Sequence, residues 1–149
     1  MGVLYVGFKG KNNPSYQLVS QLKGEKLYLT NSFDGLTRDI AGLSSEYTEV
    51  YMFGIDRNLR NAVRIESCAE QNGQCLESSL CLTDVAEKLR ANEVASVISD
   101  KPTTYLCNDA YYRMLERVKG NAVFIHIPGM RQISDKLMNG IIKSLGERR

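Results

Sequence analysis

The chain has 149 residues, of which 43% are hydrophobic and 24% charged, so it is long enough for one domain, 1–149, with a full hydrophobic core. Its 19 basic and 17 acidic residues leave a net charge of +2 without a block of like charge, which argues against a nucleic-acid-binding surface. No apolar run approaches the ~18 residues of a membrane span, and the opening residues lack the basic lead of a signal peptide. We therefore expect a cytoplasmic protein that binds neither nucleic acid nor membranes.

Short apolar strands alternate with amphipathic helices along the chain. After the first strand, Ser15 is expected to cap the first helix, and the polar segment 70–77 is interpreted as a loop. In chain order, the predicted elements are a strand at 3–8, a helix at 16–22, a strand at 26–30, a helix at 34–47, strands at 49–54 and 62–68, a helix at 82–92, a strand at 94–99, a helix at 105–118, a strand at 121–127 and a helix at 134–145.

This alternation predicts an α/β fold, a three-layer sandwich whose mostly parallel, mixed sheet is covered by helices on both faces. In open sheets of this kind, functional groups gather beyond the carboxyl ends of the strands. Cys107 follows the strand at 94–99, and His126 ends the strand at 121–127. We therefore expect these two side chains to meet at one edge of the sheet.

The chain has one histidine, His126, so any mechanism that needs an imidazole depends on it. Cys107 opens a predicted helix, where the positive end of the helix dipole and a nearby imidazolium are expected to lower its pKa. A thiol beside an imidazole is the minimum requirement for a cysteine nucleophile. The alternatives are a structural cysteine buried in the core and a core histidine whose nitrogens are satisfied.

A buried imidazole needs a third group to orient it. Glu66, Asp100 and Asp109 are the candidates, and Glu66 is notable as a charge inside a strand that helices are expected to cover. The alternative for Glu66 is an exposed edge-strand carboxylate that is ion-paired with Arg64 or Arg60.

Other chemical motifs are absent from the sequence. It contains no complete phosphate-binding loop, no GxGxxG and no GxSxG. A single histidine and four cysteines without a CxxC pair argue against a zinc site. We expect neither a metal nor a cofactor.

Two segments, YLCN at 105–108 and FIHIP at 124–128, resemble the signature regions of pyroglutamyl peptidase I, also called pyrrolidone-carboxylate peptidase. These enzymes are cytosolic cysteine exopeptidases that remove an N-terminal pyroglutamyl residue. The resemblance implies a substrate that is a peptide or small amide with N-terminal pyroglutamate. It also implies self-association, since members of the family form oligomers.

By this resemblance, Cys107 matches the nucleophile and His126 the general base of the family. The segment from Arg60 to Glu66 resembles the family's RxxIxxE segment, which selects Glu66 as the acid and Arg60 as a supporting residue. Phe8 belongs to a Gly-Phe pair that resembles the family's first loop, so it is expected to contact the substrate.

The chain also departs from the family pattern. Its first loop lacks the second phenylalanine that helps to clamp the lactam ring, and the segment after Glu66 and the region 29–49 are shorter. Two alternatives therefore stay open: a divergent cysteine amidase acting on another small amide or lactam, and a non-catalytic relative that serves as a binding or assembly module.

Overall fold

A six-stranded sheet forms the middle of the structure, a computed structural model that describes residues 2–146. Numbered in chain order, the strands are β1 (Gly2–Phe8), β2 (Glu25–Leu29), β3 (Tyr47–Ile55), β4 (Ala62–Glu66), β5 (Cys68–Gln71), β6 (Gln74–Glu77), β7 (Ala95–Ser99) and β8 (Ala122–Ile127). The helices are α1 (Pro14–Ser20), α2 (Phe33–Ala41), α3 (Leu82–Ala91), α4 (Tyr105–Arg117) and α5 (Asp135–Ile141), which a π-helical turn (Ile142–Gly146) extends.

The strand order in the sheet is β2-β1-β3-β8-β4-β7, and β5 and β6 form a separate hairpin. Neighbouring strands are parallel except β8 and β4, which are antiparallel. Helices α2 and α4 pack on one face of the sheet, and α1, α3 and α5 pack on the other. The predicted three-layer α/β sandwich with a mostly parallel, mixed sheet is confirmed.

The alternation of side chains along the strands explains the two apolar layers. In β1, Leu4 and Val6 face α2 and α4, whereas Tyr5 faces the opposite layer. In β8, Phe124 faces α2 and α4 whereas Ile125 faces the opposite layer, and every residue of this strand is buried. Central strands that are covered on both faces are expected to be continuously apolar, so a histidine in β8 stands out.

The segment predicted as a loop at 70–77 is a β-hairpin instead. Cys68 pairs with Glu77 and Gln71 with Gln74, and the turn between them is Asn72-Gly73. Both turn residues have positive φ, at 53° and 78°. An Asn-Gly pair adopts this geometry readily and favours a tight hairpin, which outweighs the polar character of the strands.

The start of α1 and the end of α2 also differ from the predictions. The cap of α1 is Asn13, not Ser15, because the Asn13 side chain accepts a hydrogen bond from the Ser15 N–H at 2.9 Å. Helix α2 ends at Ala41 rather than near residue 47, and Gly42 forms its C-cap. The residues that follow then enter β3, where Tyr47 pairs with Gly2 of β1.

Strand direction determines which side chains reach the edge of the sheet. Since β1, β3 and β8 are parallel, their carboxyl ends lie at the same edge, with Phe8, Ile55 and Ile127 as the last strand residues. Strand β4 runs the other way, so its residues Arg64 and Glu66 lie opposite residues near the end of β8.

Candidate active site

His126 lies in β8 with its ring held by a carboxylate from the neighbouring strand. The register pairs Arg64 with His126 and Glu66 with Phe124, so all these side chains emerge on the same face of the sheet. His126 Nδ1 lies 2.8 Å from Glu66 Oε2, and the two residues are only 3% and 1% exposed. A hydrogen bond from Nδ1–H to the carboxylate leaves Nε2 as the nitrogen that can accept a proton.

Arg64 extends this pair into a chain of charged groups. Its Nε donates to Glu66 Oε2 at 2.7 Å, and its Nη1 lies 2.8 Å from Asp56 Oδ2. Its Nη2 is 3.4 Å from His126 Nδ1. The buried carboxylate of Glu66 is therefore matched by a guanidinium as well as by the imidazole, which offsets the cost of burying its charge.

Asp56 follows β3 and faces the same charged chain. Burial raises the pKa of its carboxyl, but hydrogen bonds from the Asn58 N–H and the Arg64 guanidinium outweigh burial, so the pKa lies below its usual value. Asp56 is thus ionised at neutral pH. The chain of side-chain contacts runs from Asp56 through Arg64 and Glu66 to His126.

Cys107 lies in the first turn of α4 and is half-buried against the core. A Cβ added to Gly54 would lie 3.0 Å from its Sγ and 2.6 Å from Phe124 Cζ. Gly54 is the register partner of His126 in the parallel β3–β8 pair. The sulfur therefore lies over the strand position beside the imidazole, in space that only glycine leaves open.

Hydrogen bonds hold the start of α4 against the β5–β6 hairpin and against β4. The side chain of Asn108, next to Cys107, donates to the carbonyl of Glu70 at 2.7 Å and accepts from its N–H at 3.0 Å. One turn further along, the Tyr111 hydroxyl donates to the carbonyl of Glu66 at 2.7 Å. These contacts fix the helix that carries the thiol to the strands that carry the carboxylate.

The thiol of Cys107 is not acidified by this environment, contrary to the expectation from its place in the helix. Burial, together with the negative charges of Glu66 and Asp56, raises its pKa to about 12, and the Arg64 guanidinium opposes this only in part. The helix dipole is a modest effect, worth about 1 kcal/mol or less, and does not overcome burial beside two carboxylates. At neutral pH the sulfur is therefore a thiol, and a base must remove its proton.

Cys107 and His126 both line a cleft of about 900 Å³ at the edge of the sheet. Phe8 lines it from β1, Phe33 from the first turn of α2 and Tyr105, which is 84% exposed, from the start of α4. Its polar lining is formed by Asn13, Asn31, Ser32, Asp56, Arg57, Asn58, Thr103 and Thr104. An apolar part and a polar part thus flank the thiol and the ring, as in many small-molecule sites.

Within residues 2–146, no group of three or more His, Cys, Asp or Glu side chains is arranged to hold a metal ion. In the same part of the chain, no helix combines the length and the apolar character that crossing a membrane requires.

Comparison with solved structures shows what this architecture is similar to. The pyrrolidone carboxyl peptidase of Thermus thermophilus is 18% identical, with 97% of each chain covered and a TM-score of 0.74. The pyroglutamyl peptidase I of Bacillus amyloliquefaciens is 17% identical over 96% of this chain and 90% of that chain, with a TM-score of 0.78. The pyrrolidone carboxyl peptidase of Fervidobacterium islandicum is 17% identical over 96% and 93% of the chains, with a TM-score of 0.74. This chain has the pyrrolidone carboxyl peptidase fold.

The sequence itself carries little of this likeness. No family model matches it, and no curated protein matches it either. The solved structures therefore share the fold of this chain at only 17 to 18% sequence identity.

Within the pyrrolidone carboxyl peptidase fold, four of the five residues singled out from the sequence come together. Cys107, His126 and Phe8 line the cleft, and Glu66 is bonded to His126 behind it. Arg60 is not among the described residues that line the cleft. Its guanidinium donates to the carbonyls of its own loop, at 3.1 and 3.5 Å.

The arginine that does contact the ring and the carboxylate is Arg64, which was expected only as an ion-pair partner of an exposed Glu66, whereas Glu66 is buried. Its position two residues before Glu66 in the same strand places both side chains on one face, and that spacing was the available signal. The two other candidate acids lie elsewhere. Asp109 bonds Gln71 and Arg113, and Asp100 offers its backbone carbonyl to Cys68.

Proposed function

We propose that this chain is a cysteine peptidase that releases N-terminal pyroglutamate from peptides, with Cys107 as nucleophile, His126 as general base and Glu66 as the acid that orients the ring. The observation that carries the proposal is the 2.8 Å contact between His126 Nδ1 and Glu66 Oε2, with the Cys107 sulfur over the adjacent strand position. A base held by a carboxylate beside a nucleophile is the arrangement that acyl-transfer catalysis requires.

The first half of the reaction forms an acyl-enzyme. His126 Nε2 takes the proton from the Cys107 thiol as the sulfur attacks the amide carbonyl carbon, and Glu66 stabilises the imidazolium that results. The Cys107 N–H, in the first turn of α4, has no acceptor within its helix and is available to the developing oxyanion. The imidazolium then protonates the departing amine, the C–N bond breaks and a thioester remains.

The second half returns the enzyme to its starting state. Water attacks the thioester carbonyl while His126 Nε2 accepts its proton, and the C–S bond then breaks. The proton returns to the sulfur, and free pyroglutamate leaves. A resting thiol with a raised pKa fits this route, because the proton is transferred only when substrate is present.

The aromatic part of the cleft suits a small lactam ring. Phe8 is buried at the end of β1, and Phe33 comes from α2 with about half of its surface exposed. Phe33 therefore supplies a second aromatic side chain that the first loop lacks. Burying the methylene groups of the lactam ring against these side chains is favourable by about 25 cal/mol per Å² of apolar area.

A second candidate is a cysteine amidase that acts on another small amide. The observation in its favour is the polar part of the cleft, where the charged side chains of Asp56 and Arg57 lie beside the amide of Asn58. A neutral lactam does not require these charges.

One assay tests the proposal and separates these candidates. We expect the purified protein to release the fluorophore from a pyroglutamyl amide, and Cys107→Ala to abolish this activity without changing the thermal unfolding temperature. Cys81→Ala, which changes an exposed cysteine outside the cleft, is the matched control and should retain full activity. Turnover of other aminoacyl amides but not of the pyroglutamyl amide would support the amidase, and turnover of neither would contradict both.

A further inference from the structure

A second cavity, of about 500 Å³, adjoins the cleft on its polar side. Ile55 and Arg57 line both spaces, so the cavity continues from the cleft that contains Cys107 and His126. We call it the Arg57–Arg131 pocket, because these two arginines provide its charge. The rest of its lining is Asn12, Pro14, Met130 and Gln132.

The charge of this pocket is unbalanced. None of its lining residues is acidic, and within residues 2–146 neither guanidinium has an ion-pair or hydrogen-bond partner. Asp56 is adjacent to Arg57 in the sequence, but its carboxylate is engaged by Arg64 and by the Asn58 N–H. Two positive charges therefore line one cavity without a negative partner from the described chain.

The backbone holds both arginines at the pocket. The stem of Arg57 packs on Gly129, where an added Cβ would lie 3.2 Å from the arginine Cγ. The Gly129 carbonyl accepts hydrogen bonds from the Gln132 and Ile133 N–H groups at 3.0 and 2.9 Å, which forms the turn that carries Arg131. Guanidinium groups bind carboxylates with two parallel hydrogen bonds, and the amides of Asn12 and Gln132 add further donors.

We propose that the Arg57–Arg131 pocket binds a carboxylate on the leaving-group side of the scissile amide. The inference rests on the proposed function, in which the aromatic part of the cleft takes the pyroglutamyl ring. The part of the substrate beyond the amide then extends from Cys107 past Arg57 into this pocket. The carboxylate is either the side chain of an acidic second residue or the free C-terminus of a dipeptide, and both present the same chemistry to the arginines.

Three matched peptides test the inference. Pyroglutamyl-glutamine amide carries no carboxylate, pyroglutamyl-glutamate amide carries one on its side chain, and pyroglutamyl-glutamine carries one at its C-terminus. We expect kcat/KM for at least one carboxylate peptide to exceed that of the neutral amide by about fivefold at low ionic strength, a typical effect of an exposed ion pair. The preferred peptide identifies the source of the carboxylate, and about 0.5 M salt should reduce the preference.

Two variants connect the preference to the pocket. Arg57→Gln and Arg131→Gln should each lower the ratio of carboxylate to neutral peptide, because each removes one of the two charges, and the double variant should bring the ratio close to one. Both side chains are exposed, so we expect both variants to fold, with unchanged unfolding temperatures. Arg38→Gln is the matched control. Arg38 is also exposed but lies in α2 away from the pocket lining, and its variant should keep the preference.

The outcomes separate this inference from the proposed function. Equal rates for the three peptides, or a preference that is undiminished in both arginine variants, would overturn the pocket assignment and leave the peptidase intact. Failure to turn over any of the three peptides would contradict the pyroglutamyl peptidase and the assignment that depends on it.

Discussion

The candidate site has two halves that the protein holds in different ways. The strand half, Asp56, Arg64, Glu66 and His126, is joined by direct contacts of 2.7 to 2.8 Å between successive side chains. The helix half is Cys107 in the first turn of α4. Within residues 2–146 its sulfur has no hydrogen-bond partner, and its position is set by packing over Gly54.

Because of this difference, the orientation of the His126 ring is fixed independently of the reactivity of the Cys107 sulfur. Hydrogen bonds between strands fix the ring and its tautomer before substrate arrives, which lowers the cost of reorganisation during the reaction. The helix that carries the sulfur is held by the hydrogen bonds of Asn108 and Tyr111, but the sulfur itself is held only by packing, and its raised pKa keeps it protonated at neutral pH. The base is thus prepared in advance, whereas the nucleophile is activated only during the reaction.

Breaking the strand half should have the largest effect. In Glu66→Gln the amide can present its NH₂ group to His126 Nδ1 and favour the wrong tautomer, so we expect kcat to fall by about 10⁴-fold. The measurement is kcat on a pyroglutamyl amide, with Glu116→Gln on the exposed face of α4 as the control. Retention of most activity in Glu66→Gln would mean that the carboxylate does not orient the ring.

Moving the sulfur of the helix half should have the next largest effect. The new Cβ in Gly54→Ala would meet Phe124 Cζ at 2.6 Å and Cys107 Sγ at 3.0 Å, and the Phe124 ring is fully buried. We expect kcat/KM to fall by about 10²-fold, the usual cost of displacing a reacting group by about 1 Å. We also expect overpacking to lower the free energy of unfolding by about 1 to 3 kcal/mol.

Gly2→Ala is the control for this substitution, because its Cβ would meet only Tyr47 Cδ1, at an ordinary 3.8 Å. Denaturant unfolding and steady-state kinetics on both variants provide the comparison. If Gly54→Ala behaves like Gly2→Ala, the sulfur is not positioned by contact with this strand.

The pH dependence of alkylation tests the helix half without any substrate. Because the pKa of Cys107 is raised to about 12, its thiolate fraction at neutral pH is below that of an ordinary thiol and increases as the pH rises towards that value. We expect iodoacetamide to modify Cys107 about 30-fold more slowly than the exposed Cys81 near pH 7.5, since greater thiolate nucleophilicity offsets part of the pKa effect. Peptide mass spectrometry gives both rates, and faster labelling of Cys107 would indicate a preformed thiolate.

Arg64 lies within the strand half, and its loss should have the smallest effect of the four. Arg64→Gln leaves the Glu66 carboxylate bonded to His126, so we expect kcat to fall by only about tenfold, equivalent to about 1.4 kcal/mol. Arg113→Gln breaks a comparable ion pair with Asp109 away from the cleft and should leave kcat unchanged. Equal kcat values in the two variants would show that Arg64 does not position the site.

Arg64→Gln should also change how strongly the unfolding temperature falls at acidic pH. The lowered pKa of Asp56 stabilises the folded protein above the ordinary carboxyl pKa of 3.8, and this contribution is lost as the pH falls through the lowered pKa. Without the Arg64 guanidinium that contribution shrinks, so the unfolding temperature of Arg64→Gln should fall less on acidification.

The layers of the fold could be predicted because each strand and helix carries its own periodicity. The six strands of the main sheet were all located, since alternating or continuous apolar residues mark them independently of their neighbours. The hairpin at Cys68–Glu77 was missed because its strands are polar and only the Asn72-Gly73 turn marks it.

Only those site residues that belong to the signature segments, or that are unique in the chain as His126 is, could be predicted from the sequence. The spacing of Arg64 and Glu66 was a local signal, but the contact of Arg64 with the His126 ring depends on the antiparallel pairing of β4 with β8, a tertiary feature that local sequence does not contain. The raised pKa of Cys107 likewise depends on burial and on the carboxylates of Glu66 in β4 and Asp56 after β3, so its position at a helix start was misleading.

The solitary imidazole makes the proposed catalytic base directly observable. Because the untagged chain contains no other histidine, every histidine ring resonance in a proton or nitrogen NMR spectrum comes from His126. The Nδ1 proton bonded to Glu66 should appear far downfield, and its loss on titration or on adding an inhibitor would report the state of the ring without any assignment experiment.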